Sequence, residues 1–166
     1  MSDLGQMLRL PAVRFERSLP GSAERVWAHL TDCSKLAGWY GEDSSIEPRV
    51  GGEVRLMGGY IQGVVTQWRP NRRLAHTWNV LSPGESESTL PESYLTLDIG
   101  PDGAGVMLVL THLPVLERFE GQNAMGWHTF LDILEASLNA RPTEPRAAHM
   151  QRNAAHYGVN LANLQR

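Results

Sequence analysis

The sequence predicts an α+β domain in which a curved antiparallel sheet wraps one long C-terminal helix. Three observations lead there. From Ser44 to about His112, alternating apolar segments are separated by short turn signals: Gly51-Gly52, Gly58-Gly59, Pro70-Asn71 and Asp102-Gly103. Connections that short require antiparallel neighbours, because a parallel crossover needs about a dozen residues or more. Next, Trp127, Leu131, Leu134 and Leu138 fall at i, i+4, i+7 and i+11, an apolar stripe whose only large partner is the sheet. Finally, glycines at 51, 52, 58, 59 and 63 lie in or beside neighbouring strands, where they weaken regular pairing and permit sharp bending. A strongly bent sheet cannot lie flush along a straight helix, so a space is expected between them.

The elements follow in order. Val13 to Leu19 alternates, with Val13 and Phe15 on one face and Arg14, Glu16 and Ser18 on the other, as a half-exposed strand does. Pro20-Gly21-Ser22 turns the chain, and Ser22 suits a helix N-cap with Glu24 at the positive end of the dipole. Ala23, Val26, Trp27 and Leu30 then form one buried helical face. Asp32 caps a short helix carrying Leu36, Trp39 and Tyr40, stopped by Gly41. Strands are expected at Ser45–Arg49, Glu53–Met57, Tyr60–Trp68, Leu74–Val80, Tyr94–Gly100 and Val106–His112. Leu81 to Pro91, rich in Ser, Glu, Gly and Pro, reads as an exposed, mobile loop. The long helix is expected from about Ala124 to Asn139. After the break at Arg141-Pro142-Thr143-Glu144-Pro145, Ala147, Met150, Ala154 and Tyr157 mark a tail helix packed on the domain or on a second subunit. The expected organisation is an arm over residues 1–12, a domain over 13–140 and a tail over 141–166.

Bulk properties narrow the class. A chain of 166 residues fits one domain and buries roughly 70% of its unfolded surface, enough to fold without a disulfide or metal. Cys33 is the single cysteine, so a reducing, cytoplasmic setting is expected. A net charge of −3, with no basic run beyond Arg72-Arg73, argues against nucleic-acid or acidic-membrane partners. Met1 to Pro11 lacks the basic start and apolar stretch of a secretory signal, and no eighteen-residue apolar run occurs.

Several local motifs, in this order, resemble a known family. They are Ala23-Glu24-Arg25-Val26-Trp27 with Leu30-Thr31-Asp32, then Leu36 and Trp39-Tyr40-Gly41, then Pro48 with Gly51-Gly52. Gly63-Val64-Val65 leading to Pro70, Arg73-Leu74 and Thr77-Trp78 come next. Leu108-Val109-Leu110-Thr111-His112 and Gly126-Trp127-His128-Thr129-Phe130-Leu131-Asp132 complete the set. The chain resembles the SRPBCC, START-like superfamily, in the branch related to the C-terminal domain of the activator of heat-shock-protein-ninety ATPase. The resemblance covers about Val13 to Asn139 and implies the helix-grip fold. The fold hosts carriers, cyclases, sensors and chaperone partners, so it implies no single activity. In the eukaryotic co-chaperone, action on the heat-shock protein depends on an additional N-terminal domain. Only about twelve residues precede the first strand here, so that activity is not expected.

The period of two in strands selects the inward residues. Leu74, His76 and Trp78 face in, as do Leu95, Leu97 and Ile99, Leu108, Leu110 and His112, and Val54 with Leu56. His76 and His112 thus lie on the concave side, with His128 on the gripping helix nearby. Trp39 and Tyr40 are expected at the cavity mouth, and Trp78 and Trp127 face each other across the grip. The candidate ligand-binding set is Trp39, Tyr40, Leu56, Tyr60, His76, Trp78, His112, Trp127, His128 and Leu131. Asp132 and Glu135 are read as solvated on the exposed side of the long helix. No carboxylate is placed beside the histidines by sequence, and no nucleophile elbow, phosphate loop or metal-ligand spacing occurs; His149 and His156 are seven apart in the tail. No cofactor or metal is therefore expected.

The leading expectation is a non-enzymatic or weakly catalytic domain that binds a small hydrophobic or aromatic molecule in the cavity. Two alternatives stay open. One is a cyclase-, dehydratase- or hydrolase-like enzyme using His76, His112 or His128 as acid–base. The other is a chaperone-associated or self-interacting module, with a homodimer formed through the tail.

Overall fold

The computed structural model describes residues 4–164. Strand β1 (Val13–Leu19) leads into helix α1 (Ala23–Thr31) and the single turn α2 (Cys33–Leu36). Strands β2 (Ser45–Ile46), β3 (Glu53–Leu56), β4 (Ile61–Arg69), β5 (Arg73–Val80), β6 (Ser93–Asp102) and β7 (Gly105–Leu113) follow. Helix α3 (Glu120–Leu138) crosses the sheet, and α4 (Arg146–His156) ends the fold. The strands form one antiparallel sheet in the order β1-β7-β6-β5-β4-β3-β2.

The caps act as the sequence requires. Ser22 accepts a hydrogen bond from the Arg25 amide, and Asp32 accepts one from the Ser34 amide, which satisfies donors that the first helical turns leave open. At the other end of the bundle, the Arg25 guanidinium donates to the Leu138 carbonyl at 2.6 Å. A cation there meets the negative end of α3 and ties α1 to it.

The inward phase of β3, β5, β6 and β7 is as expected: Val54, Leu56, Leu74, His76, Trp78, Leu95, Leu97, Leu108, Leu110 and His112 are all buried. Leu131, Leu134 and Leu138 of α3 pack into this layer, and each fully buried leucine contributes roughly 1.5–3 kcal/mol. The sheet departs from regular pairing in β4, where the register slips between Val65 and Gln67. Gly63 approaches β5 so closely that a Cβ there would collide with the Thr77 carbonyl, and the Val64 amide is satisfied by the Thr77 hydroxyl at 2.8 Å.

Several boundaries differ from expectation. The first strand of the central series shortens to Ser45–Ile46, and Met57–Gly59 forms a 3-10 turn with Met57 and Gly58 at positive φ. Tyr60 therefore sits outside β4, and half of it is exposed (48%). Helix α3 begins at Glu120 rather than Ala124, directly after the 3-10 turn Glu117–Phe119. The tail helix packs on α3 through His149, Asn153 and Ala154, whereas Ala147 is exposed.

Asp132 and Glu135 are not simply solvated. Arg17 of β1 reaches across to both, at 2.9 Å each, and Asn153 of α4 donates to Asp132 at 3.0 Å. Burial by itself would raise the Asp132 carboxyl, but hydrogen bonds from Asn153 and Arg17 hold it below the ordinary value. The predicted exposed face of α3 is thus the seam to which β1 and the tail attach.

Candidate functional site

A cavity of about 580 Å³ opens at the N-terminal half of α3. Helix α3 contributes Gln122, Asn123, Gly126, Trp127 and Phe130, with Phe119 just ahead of it. From the sheet come Ile61, Trp78 and Val80, with Met57 and Tyr60 from the preceding turn. Ser82, Pro83, Glu85, Thr89 and Leu90 supply the remaining side. The segment expected to be an exposed loop is exposed over 82–87, and it also forms a wall of the cavity. The gap between sheet and helix is confined to this end, since Leu131, Leu134 and Leu138 are packed without exposure further along.

The room has a local cause. Gly126 lies in the middle of α3, and a Cβ built on it would meet nothing within 4 Å. An absent side chain at that turn leaves the space that a leucine would fill. Trp78 and Trp127 face each other with ring centroids 5.0 Å apart. Phe130 stands 5.7 Å from Trp127.

A buried polar chain fixes Trp127. Its indole N–H donates to His112 Nδ1 at 3.0 Å, and Ser93 Oγ lies 2.7 Å from His112 Nε2. Because Nδ1 accepts, the neutral ring carries its proton on Nε2 and donates to Ser93, whose hydroxyl reaches the Trp78 carbonyl at 3.3 Å. Burial, and secondarily the neighbouring His76, pushes His112 down to about 4. His76 donates from Nδ1 to the Thr77 carbonyl at 2.8 Å, and burial pushes it down to about 4 against that bond. Both imidazoles are neutral near pH 7, and His112 has both nitrogens engaged.

Of the ten residues that the sequence singled out, Tyr60, Trp78 and Trp127 line the cavity. Trp39 and Tyr40 do not form its mouth. They are buried, stacked on each other at 3.8 Å, with the Trp39 N–H held by the His29 carbonyl at 2.7 Å. Leu56 and Leu131 are core. His76 and His112 sit behind the lining. His128 points away from the cavity, towards Phe15 and the Tyr157 hydroxyl, which lies 2.8 Å from its Nδ1. Burial lowers His128, with Arg17 and His156 adding to the effect and Asp132 opposing it.

Arg146, at the start of α4, donates to the Trp39 and Tyr40 carbonyls at 3.2 and 2.7 Å and lies 4.4 Å above the Phe130 ring. It clamps the tail beside the cavity, and burial lowers its ionisation below the ordinary value. Sequence could have found part of this wall. Phe119, Gln122, Asn123, Gly126 and Phe130 fall at i, i+3, i+4, i+7 and i+11, a second helical stripe whose mixed polarity hides it from an apolar search. Among the described residues, no cluster of His, Cys, Asp or Glu is arranged to hold a metal ion, and no helix is long and apolar enough to cross a membrane.

A sheet arched around a long helix, with a lateral cavity at one end, defines an α+β helix-grip domain. A family profile described as "Activator of Hsp90 ATPase homolog 1-like protein" matches residues 20–139, and the chain belongs to that family. Among solved structures, a Bordetella parapertussis protein is 26% identical, with 96% of this chain and 91% of that one covered and a TM-score of 0.69. The Aha1 dimer from Colwellia psychrerythraea is 20% identical, over 76% of this chain and 95% of that one, with a TM-score of 0.63. An HSP90 activator from Plasmodium falciparum is 18% identical, over 81% and 99%, with a TM-score of 0.66. No curated protein matches the sequence.

Proposed function

We infer that this domain, bounded at about residues 13–140, binds a small hydrophobic or aromatic molecule in the cavity beside α3. The observation that carries the reading is the cavity itself, about 580 Å³ and walled by Trp78, Trp127, Phe130, Ile61 and Val80. That is within the usual size of a small-molecule site, and an apolar lining with a few polar groups is the usual composition. Gln122, Asn123, Ser82 and Glu85 at the rim supply the polar groups. A non-enzymatic role fits best, since among the described residues no histidine lines the cavity and Glu85 is already engaged with the Ser82 amide. The setting we assign is the cytoplasm, in keeping with the lone Cys33.

Titrating the full chain with alkylbenzenes and naphthalene derivatives, read by tryptophan emission and by thermal shift, tests this. Saturable quenching with a stoichiometry of one, together with a rise in Tm, is expected because Trp78 and Trp127 are in the walls. The reading fails if no apolar probe saturates or stabilises the chain.

A second reading, a chaperone-associated or self-associating module, is favoured by the family description and by the dimer reported for the Colwellia relative. Sedimentation of the full chain with and without residues 141–166 tests self-association through the tail. A mass unchanged by the deletion speaks against it.

A further inference from the structure

Behind the aromatic wall lie two buried polar atoms that no group among the described residues satisfies, the Tyr40 hydroxyl and His76 Nε2. Each side chain is 1% exposed. Native folds seldom leave such groups unpaired, because an unmade buried hydrogen bond is costly. Their chemistry is complementary. His76 Nδ1–H is committed to the Thr77 carbonyl, so Nε2 carries only a lone pair and accepts. Tyr40 is held protonated by its burial, so its O–H donates.

Both groups back onto one cavity wall. The His76 ring lies nearly parallel to the Trp78 indole, with centroids 6.1 Å apart and an 18° angle, and the Tyr40 ring is 6.5 Å from the same indole. Tyr40 also packs edge-on against Trp127 and Phe130, the other aromatic walls. Trp39 and Trp127 are tethered through their indole N–H groups. Trp78, among the described residues, has no such tether, so of the three indoles it is the one held by ring packing alone.

We propose that the cavity continues past Trp78 into a polar end, where Tyr40 and His76 receive the hydroxyl group of an otherwise apolar ligand. A ligand hydroxyl donates to His76 Nε2 and accepts from the Tyr40 O–H. A methyl ether can only accept, and a hydrocarbon does neither. A carboxylate would lose its hydration there without gaining a cation. The ligand class is therefore a phenol or alcohol on an apolar body.

The inference rests on the cavity being a ligand site, and its test separates the two claims. Calorimetric titration of the full chain compares para-pentylphenol, para-pentylanisole and pentylbenzene. The phenol is expected to bind at least about tenfold more tightly than either analogue. Tyr40→Phe leaves the phenol only its donation to His76, and His76→Leu leaves phenol and anisole alike, both accepting from Tyr40. In each variant the phenol's margin over pentylbenzene shrinks at least about threefold, while pentylbenzene itself stays within about threefold of its original affinity. If His76→Leu does not fold, Tyr40→Phe, which removes one oxygen, decides alone. Equal affinities in the unaltered protein overturn the polar end and leave the apolar cavity standing. A phenol margin that is undiminished in the folded variants overturns it too. Failure of all three compounds to bind overturns both claims.

Discussion

Acidification should remove stability from this domain well before its carboxylates titrate. His76 and His112 are both pushed from 6.5 down to about 4, chiefly by burial. The folded state therefore holds these rings neutral while the unfolded chain, with ordinary histidines, takes up protons. Their contribution is fully present above about pH 6.5 and is lost as pH falls through that value towards 4. A drop from 6.5 to about 4 corresponds to about 3 kcal/mol for each ring. At pH 5, on the same arithmetic, the pair has given up roughly 4 kcal/mol, a large part of the 5–15 kcal/mol typical of a domain. Asp132 is held below 3.8, so its own loss lies at lower pH and does not mask the window. Urea unfolding at a series of pH values between about 7.5 and 4.5 measures this, with the slope of ΔG approaching that of two protons, about 2.7 kcal/mol per pH unit. His76→Leu removes one ring and relieves His112 of a neighbouring charge, so the slope should fall to about half. A flat ΔG over the window, or a slope that the substitution leaves unchanged, would refute the buried neutral pair.

Other expectations follow from single contacts. Trp127→Phe keeps the ring but deletes the donor to His112 Nδ1, and should cost about 1–3 kcal/mol by urea unfolding with the sheet retained. Ser22→Ala removes the cap that receives the Arg25 amide, and should lower stability by about 1 kcal/mol. Asp132→Ala takes one of two partners from both Arg17 and Asn153, which keep Glu135 and Thr129. Proteolysis of the tail should quicken in this variant, with a loss of about 1–2 kcal/mol because the group is only partly buried.

How far the sequence could be read depended on where the determining contacts lie. The capped helix α1 and strands β5 to β7 were legible because Ser22, Glu24 and the alternation Leu95-Leu97-Ile99 are local signals. The start of α3 is hidden because Gly121 and Asn123 are poor helix formers, and only the turn Glu117–Phe119 running directly into the helix carries it through them. The Arg17–Asp132 contact joins residues 115 apart, and no spacing rule reaches that far. Sequence marks Trp39 and Tyr40 but not their depth, since only tertiary packing against Phe130 and the Arg146 clamp sends them inward. The cavity's outer wall was illegible for a different reason: Ser82 to Leu90 has no periodicity, and its position depends on the elements it spans.

The central claim is that the gap beside Gly126 receives a guest, and one comparison addresses it directly. Pentylbenzene is titrated calorimetrically into the protein and into Gly126→Leu. Replacing a mid-helix glycine by leucine where no atom lies within 4 Å should raise stability by about 1 kcal/mol while filling the space. The account predicts saturable binding to the unaltered protein and none to the folded variant. Equal binding to both would place the guest elsewhere and contradict it.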